Sequence, residues 1–201
     1  IEKEGLVWLY KNIKCSRLIA NIRLLKLILI QLIIIDKGGM IMLVLGIDPG
    51  TAITGFGLVK KDRRELLIDY GTITTPAGMD MPSRLCKINR ELTAIINKYQ
   101  PDAAAVEELF YHKNSKTVIT VAQARGVALM TLAAGGLPIA EYTPLQVKQA
   151  VVGYGNAEKK QVQLMVQKIL NMEELPRPDD AADALAIAIC HLHSVRLGRY
   201  F

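Results

Sequence analysis

The stretch LVLGIDPGT, residues 43–51, constrains this chain more than any other. Its apolar run from Leu43 to Ile47 drives a strand that ends on Asp48, where Pro49 and Gly50 turn the backbone away. A carboxylate there stands at the carboxyl end of a strand, exposed at a sheet edge. Gly46 and the segment Gly55, Phe56, Gly57 leave little side-chain bulk beside it, so another backbone or a phosphate has room to come close. Turn chemistry alone accounts for one such Asp. Further carboxylates lie downstream, where the same fold brings them together.

At 201 residues with 51% hydrophobic composition, the chain has enough apolar material for one well-packed domain and too little for two substantial ones. The formal net charge of +6 points to a nucleic-acid or other acidic partner, but the excess is uneven. Seven of the 25 basic residues and three of the 19 acidic ones precede residue 42. The remainder is nearly balanced, so local basic clusters must carry any nucleic-acid contact. Residues 1–41, rich in Ile, Leu, Lys and Asn, have no small-residue cleavage site and make a poor signal peptide. The apolar run from Leu24 to Ile35 is broken by Lys26 and Gln31 and is short for a membrane span, so no membrane partner is expected. Lys37, Gly38 and Gly39 can be encoded by a purine run of the kind that binds bacterial ribosomes, just ahead of the Met42 codon. Residues 1–41 are therefore expected to be translated upstream sequence outside the fold, with residues 42–201 as the working domain. Cys15, Cys86 and Cys190 are too few and too scattered for a disulfide framework, which fits a reducing cytoplasm. Cys190, His191 and His193 lack a second ligand pair at zinc-like spacing and read as partly buried helix residues.

From Met42 the chain alternates between the periods of strand and helix. Residues 53–61 and 65–75 read as a second and a third strand, joined by a charged turn at Asp62 to Arg64 into an antiparallel meander. Residues 81–99 place Leu85, Ile88, Leu92, Ile95 and Ile96 at helical spacing, with Asp80 as cap and Pro101 just past the end. AAAVEELF, residues 103–110, is too short for a helix and reads as a fourth strand ending on Glu107 or Glu108. Residues 115–134 form a helix that is apolar over more than one face and so suited to packing on two sides. Gly135 and Gly136 end it, and residues 137–142 make a fifth strand. Thr143 and Pro144 cap and start a helix through Val151, and another runs from Ala157 to Leu170. The last, Ala-rich helix follows Pro178 and reaches about Val195. Asp180 and Asp183 are three apart near its start, and Asp179 and Asp183 four apart, so spacing does not choose between Asp179 and Asp180.

This order describes a mixed α/β sheet in which a right-handed crossover sets the first and fourth strands side by side and parallel. Their carboxyl ends coincide, bringing Asp48 and Glu107 together, and the final helix adds its acids across the same edge. Asp183, followed by ALAIAI, lies on or beside a buried face, where an unpaired carboxylate is costly. Acids converging without compensating Arg or Lys repel one another, and hard divalent cations relieve that repulsion. Two magnesium ions match the charge. In such a site one ion would activate a water for attack on phosphorus and the other would stabilise the leaving oxygen.

The motifs LGIDPGT with TGFG, PSRL, VEELF, KN followed by QARGVA, QVKQAVVGYGNAEKKQV and DDAADALAIA run from about Met42 to about His193. In this order and at these intervals, the sequence resembles the RuvC-type crossover junction endodeoxyribonucleases, Holliday-junction resolvases. The resemblance implies a ribonuclease H-like mixed five-stranded sheet flanked by helices. It makes Asp48, Glu107, Asp180 and Asp183 the catalytic, metal-binding acids, choosing Asp180 over Asp179. It implies two Mg2+ per active site, with Mn2+ able to substitute, and a homodimer joined through the helix after the fourth strand. It implies a four-way DNA junction as substrate, cut by paired symmetric nicks in homologous recombination and DNA repair, and a branch-migration helicase complex as partner. Lys148 and Lys159 match family lysines that contact DNA near the scissile phosphate. Phe110 matches an aromatic that stacks on an unpaired base. Lys113, Asn114 and Arg125 become backbone contacts. GIDPGT also resembles the phosphate loop of the actin, sugar-kinase and heat-shock ATPase superfamily, but one domain supplies only half of such a site. A non-catalytic junction-binding protein would have no need of all four acids.

Overall fold

The computed structural model describes residues 41–109 and 118–196. The leader expectation, together with Phe110, Lys113 and Asn114, lies outside the described residues. β1 (Met42–Asp48), β2 (Ile53–Lys61), β3 (Glu65–Thr74), β4 (Ala103–Glu107) and β5 (Ile139–Tyr142) form one sheet in the order β3-β2-β1-β4-β5. β1, β2 and β3 pair antiparallel as a meander, while β4 joins β1 in parallel and β5 joins β4 in parallel. The helices are α1 (Met81–Tyr99), α2 (Val118–Ala134), α3 (Pro144–Val152), α4 (Lys159–Ile169) and α5 (Asp179–Arg196). None of the helices in the described residues is long and apolar enough to cross a membrane.

Local chemistry sets the boundaries. The Asp80 carboxylate accepts from the Ser83 amide at 3.1 Å to open α1, and Gln100 closes it in the left-handed region with φ 49°. Thr143 and Gln146 cap each other across the first turn of α3, with Pro144 at its start. β4 ends on Glu107, one of the two ends expected for it. β5 is shorter than its apolar run and begins at Ile139 because Pro138 contributes only its carbonyl, taken by the Ala104 amide at 2.9 Å.

Strand alternation divides the interior into two layers. Leu45, Ile47, Leu58, Ile73, Ala104 and Val106 face α1 and α2. Val44, Val59, Ala105 and Tyr142 face α5, which in turn is covered by α3 and α4. α5 therefore lies between the sheet and two other helices, and nearly every residue from Ala181 to Leu192 is buried, as expected of a helix apolar on all sides. α2 buries Ala124, Ala128, Thr131 and Leu132 within this chain. Its other side leaves Ile119 74% and Met130 56% exposed.

Candidate active site

The pairing of β1 with β4 sets Ile47 beside Val106. Asp48 and Glu107 are thus the next residues on two neighbouring parallel strands, roughly 4.8 Å apart, and leave the sheet on the same face. On the other side of β1, Asp48 is paired with Gly55 and Gly46 with Gly57. These glycines answer which neighbour uses the room around Asp48: it is the backbone of α5. A Cβ on Gly46 would stand 2.1 Å from the Ala184 carbonyl oxygen, one on Gly55 2.0 Å from the Asp180 carbonyl oxygen, and one on Gly57 2.7 Å from the Leu185 nitrogen. The start of α5 is thereby laid directly over the strand ends that carry Asp48 and Glu107.

Asp48, Glu107 and Asp180 line one cleft of about 300 Å3 together with Glu108 and Arg125. Asp183 stands beside it and is felt there. Burial, then the charges of Glu107, Asp183 and Asp180, push the Asp48 carboxyl up to about 7. Burial and Asp183 likewise raise Glu107, and burial, with Asp179 and Asp180, raises Asp183. Lys159 works against all three increases; its Nζ lies 3.0 Å from Asp183 Oδ2 and 3.3 Å from Asp179 Oδ2. Desolvation opposes the Lys159 ammonium, but the bonds and charges of Asp183 and Asp179 hold its pKa above the ordinary value.

Among the described residues, no three acid, His or Cys side chains are drawn together closely enough, as placed, to hold one ion. The charge on Asp183 is met by a lysine instead. The donor set nevertheless fits a hard divalent cation: it is all carboxylate oxygen, and neighbouring carboxylates help to raise the pKa values of Asp48, Glu107 and Asp183, a repulsion that added positive charge removes.

Other residues singled out in the sequence have different surroundings. Arg125 reaches from α2 to donate Nε to the Glu107 carbonyl at 3.0 Å and pairs its guanidinium with Glu141, so it braces the ends of β4 and β5. Lys148 is half-buried in the second turn of α3, beyond the free amides of the helix start, whereas Lys159 is the first residue of α4. Asp179 points away from the cleft toward Gln163 and Lys159. Sequence reasoning did not reach Gln163; its only signal is a position four residues after Lys159, one turn along the same helix face.

The sheet order, with helices on both faces, is that of the ribonuclease H-like class. The family model for crossover junction endodeoxyribonuclease RuvC matches residues 44–191. A curated relative of that name from Syntrophomonas wolfei is 71% identical over 160 residues, covering 79% of this chain and 93% of its own. One from Desulfitobacterium hafniense is 58% identical over 157 residues, covering 78% and 95%. Among solved structures, Thermus thermophilus RuvC in complex with a Holliday junction substrate superposes with TM-score 0.74 at 37% identity, over 79% of this chain and 97% of that one. The same organism's RuvC structure superposes with TM-score 0.72 at 36% identity, over 79% and 98%. The chain belongs to the RuvC family of crossover junction endodeoxyribonucleases, which are metal-dependent nucleases.

Proposed function

We propose that the chain resolves Holliday junctions as a homodimer, by paired symmetric nicks, in homologous recombination and DNA repair. The observation that carries this reading is the meeting of Asp48, Glu107 and Asp180 in one cleft with Asp183 beside it. Asp48, Glu107, Asp180 and Asp183 would hold Mg2+, two ions per site, with Mn2+ able to substitute; when bound, the ions supply activation of water and neutralise charge on the departing oxygen.

The chain's own residues do the placing. Arg125 fixes the carbonyl of Glu107 and so the end of β4. The glycines beneath α5 hold Asp180 against the strand carrying Gly55, opposite Asp48. Lys159, at the amino end of α4, offers an ammonium and neighbouring free amides to a DNA phosphate, and Lys148 adds a second positive charge on α3. Phe110 stacks on an unpaired base, and Lys113 and Asn114 contact the backbone beside it. Arg125, engaged by Glu107 and Glu141, holds the site together and is also proposed as a DNA-backbone contact.

The dimer reading is supported by α2. Ile119, Ala122, Gly126, Met130 and Ala133 follow one another at helical spacing along its exposed side, an apolar stripe for a second copy. Two sites about a two-fold axis suit a branched DNA of matching symmetry, and a branch-migration helicase complex is the proposed partner.

Cleavage of a four-way junction beside a linear duplex, titrated with Mg2+ and then Mn2+, tests the reading. Asp48→Asn should abolish cleavage and leave junction binding intact. Full activity in that variant overturns the assignment.

A further inference from the structure

Asp179 differs from its neighbour Asp180 in what it touches. Its Oδ1 accepts from Gln163 Nε2 at 2.9 Å, and its Oδ2 lies 3.3 Å from Lys159 Nζ. The same ammonium lies 3.0 Å from Asp183 Oδ2. Lys159 therefore bridges an acid of the cleft's rim and an acid outside it, at the point where α4 and α5 begin. Asp179 and Asp183 are four apart on α5, so they present their carboxylates one turn from each other to a single lysine.

That geometry creates a competition. A cation arriving at Asp183 Oδ2 competes with the ammonium seated there, and a displaced lysine with no second acceptor either returns to compete or leaves the site for solvent. Asp179 removes both alternatives, and the Gln163 amide fixes the carboxylate in the receiving position.

We propose that Asp179 is a positioning residue for Lys159: when a divalent cation takes the Asp183 carboxylate, Lys159 remains docked on Asp179, freeing Asp183 while keeping its positive charge at the site. This rests on the reading of Asp183 as a metal-binding acid. Lys159 and Asp179 are 52% and 63% exposed, so the effect has the size of a solvent-screened pair.

The test is Mn2+ titrated into the full chain without DNA, followed by water-proton relaxation, for the parent protein, Asp179→Asn, Lys159→Met and the double variant. Asp179→Asn should weaken Mn2+ binding about threefold to fivefold. Lys159→Met should tighten it, and in the Lys159→Met background the Asp179→Asn change should have little further effect. Asp179→Glu should restore most of the parent affinity, with melting curves confirming that all variants fold. Equal affinities for the parent and Asp179→Asn overturn the proposal. So does an equal weakening in both backgrounds, which would mean that Asp179 acts only through its own charge. A parent protein that takes up no Mn2+ overturns the reading of the four acids itself, and this inference with it.

Discussion

The two faces of the sheet pack their helices by different means. On one, Leu45, Ile47, Leu58 and Ile73 meet Ile88, Leu92 and Ile96 of α1 and Leu132 of α2, so branched and aliphatic side chains separate the backbones. On the other, Gly46, Gly55 and Gly57 remove the side chains beneath α5, whose own contribution is largely Ala181, Ala184 and Ala188, and backbone meets backbone. The aliphatic face buries apolar area and can absorb small volume changes by shifting rotamers. At Gly46 and Gly55 the nearest facing atoms are main chain of α5, which has no rotamer to shift. What the glycine face gives in exchange is position: the start of α5 is tied to the strand ends, and with it Asp180 and Asp183.

The contrast breaks most sharply at Gly46. A Gly46→Val side chain meets main chain of α5 at once, so the helix must lift off the sheet; the expected loss is about 3 kcal/mol or more in urea unfolding, with cleavage lost as well. Unchanged stability would mean that α5 is not seated as described. Gly55→Ala is milder, about 1–3 kcal/mol, but its added carbon faces the Asp180 carbonyl. Its junction cleavage at temperatures where the variant is fully folded should fall by a larger factor than binding of the junction does. On the aliphatic face, Ile88→Val removes one methylene from the α1 layer and should cost roughly 0.5–1.5 kcal/mol while leaving cleavage at the parental rate. If Ile88→Val impaired cleavage as much as Gly55→Ala, the division of labour between the faces would be wrong.

The same contrast explains what could be read from sequence. The aliphatic face was legible because its information is local: Ile88, Leu92 and Ile96 repeat at helical spacing, and Asp80 and Thr143 announce helix starts by capping chemistry. The glycine face was legible only as room beside Asp48, for a backbone or for a phosphate, because the occupant, α5, comes more than 120 residues later in sequence. The ambiguity of Glu107 with Glu108 ended with the register of β4 on β1, which depends on pairing between distant segments. Asp179 and Asp180 are adjacent on a helix, and local spacing carries no signal of which one the sheet edge faces. The Lys159 bridge and the Arg125 brace were invisible for the same reason: each joins side chains on different elements. The exposed side of α2 was visible as excess apolarity, since a helix with one buried face needs only one apolar stripe.

The smallest effect separates the faces by titration. Among the described residues the α1 and α2 layer has no ionisable side chain as fully buried as its core, whereas the α5 layer carries His191, buried, with Nδ1 2.9 Å from the Tyr142 hydroxyl and Nε2 without a hydrogen-bond partner among the described residues. Burial pushes its pKa below the ordinary value near 6.5. Below that value the unfolded chain takes up a proton that the folded chain does not, so the stability associated with neutral His191 is complete above about pH 6.5 and declines as pH falls. Asp48, Glu107 and Asp183 act in the opposite sense in metal-free protein: their pKa values are raised on folding, so their mutual repulsion weakens as pH falls. Total stability therefore mixes two opposed slopes, and the informative quantity is the difference between the parent protein and His191→Gln. Urea unfolding from pH 8 to pH 5 should show the parent losing stability relative to His191→Gln as pH drops through 6.5, while Ile88→Val keeps a constant offset from the parent over the same range. A pH-independent gap between the parent and His191→Gln would place the imidazole in contact with solvent and remove it from the layer that seats the acids.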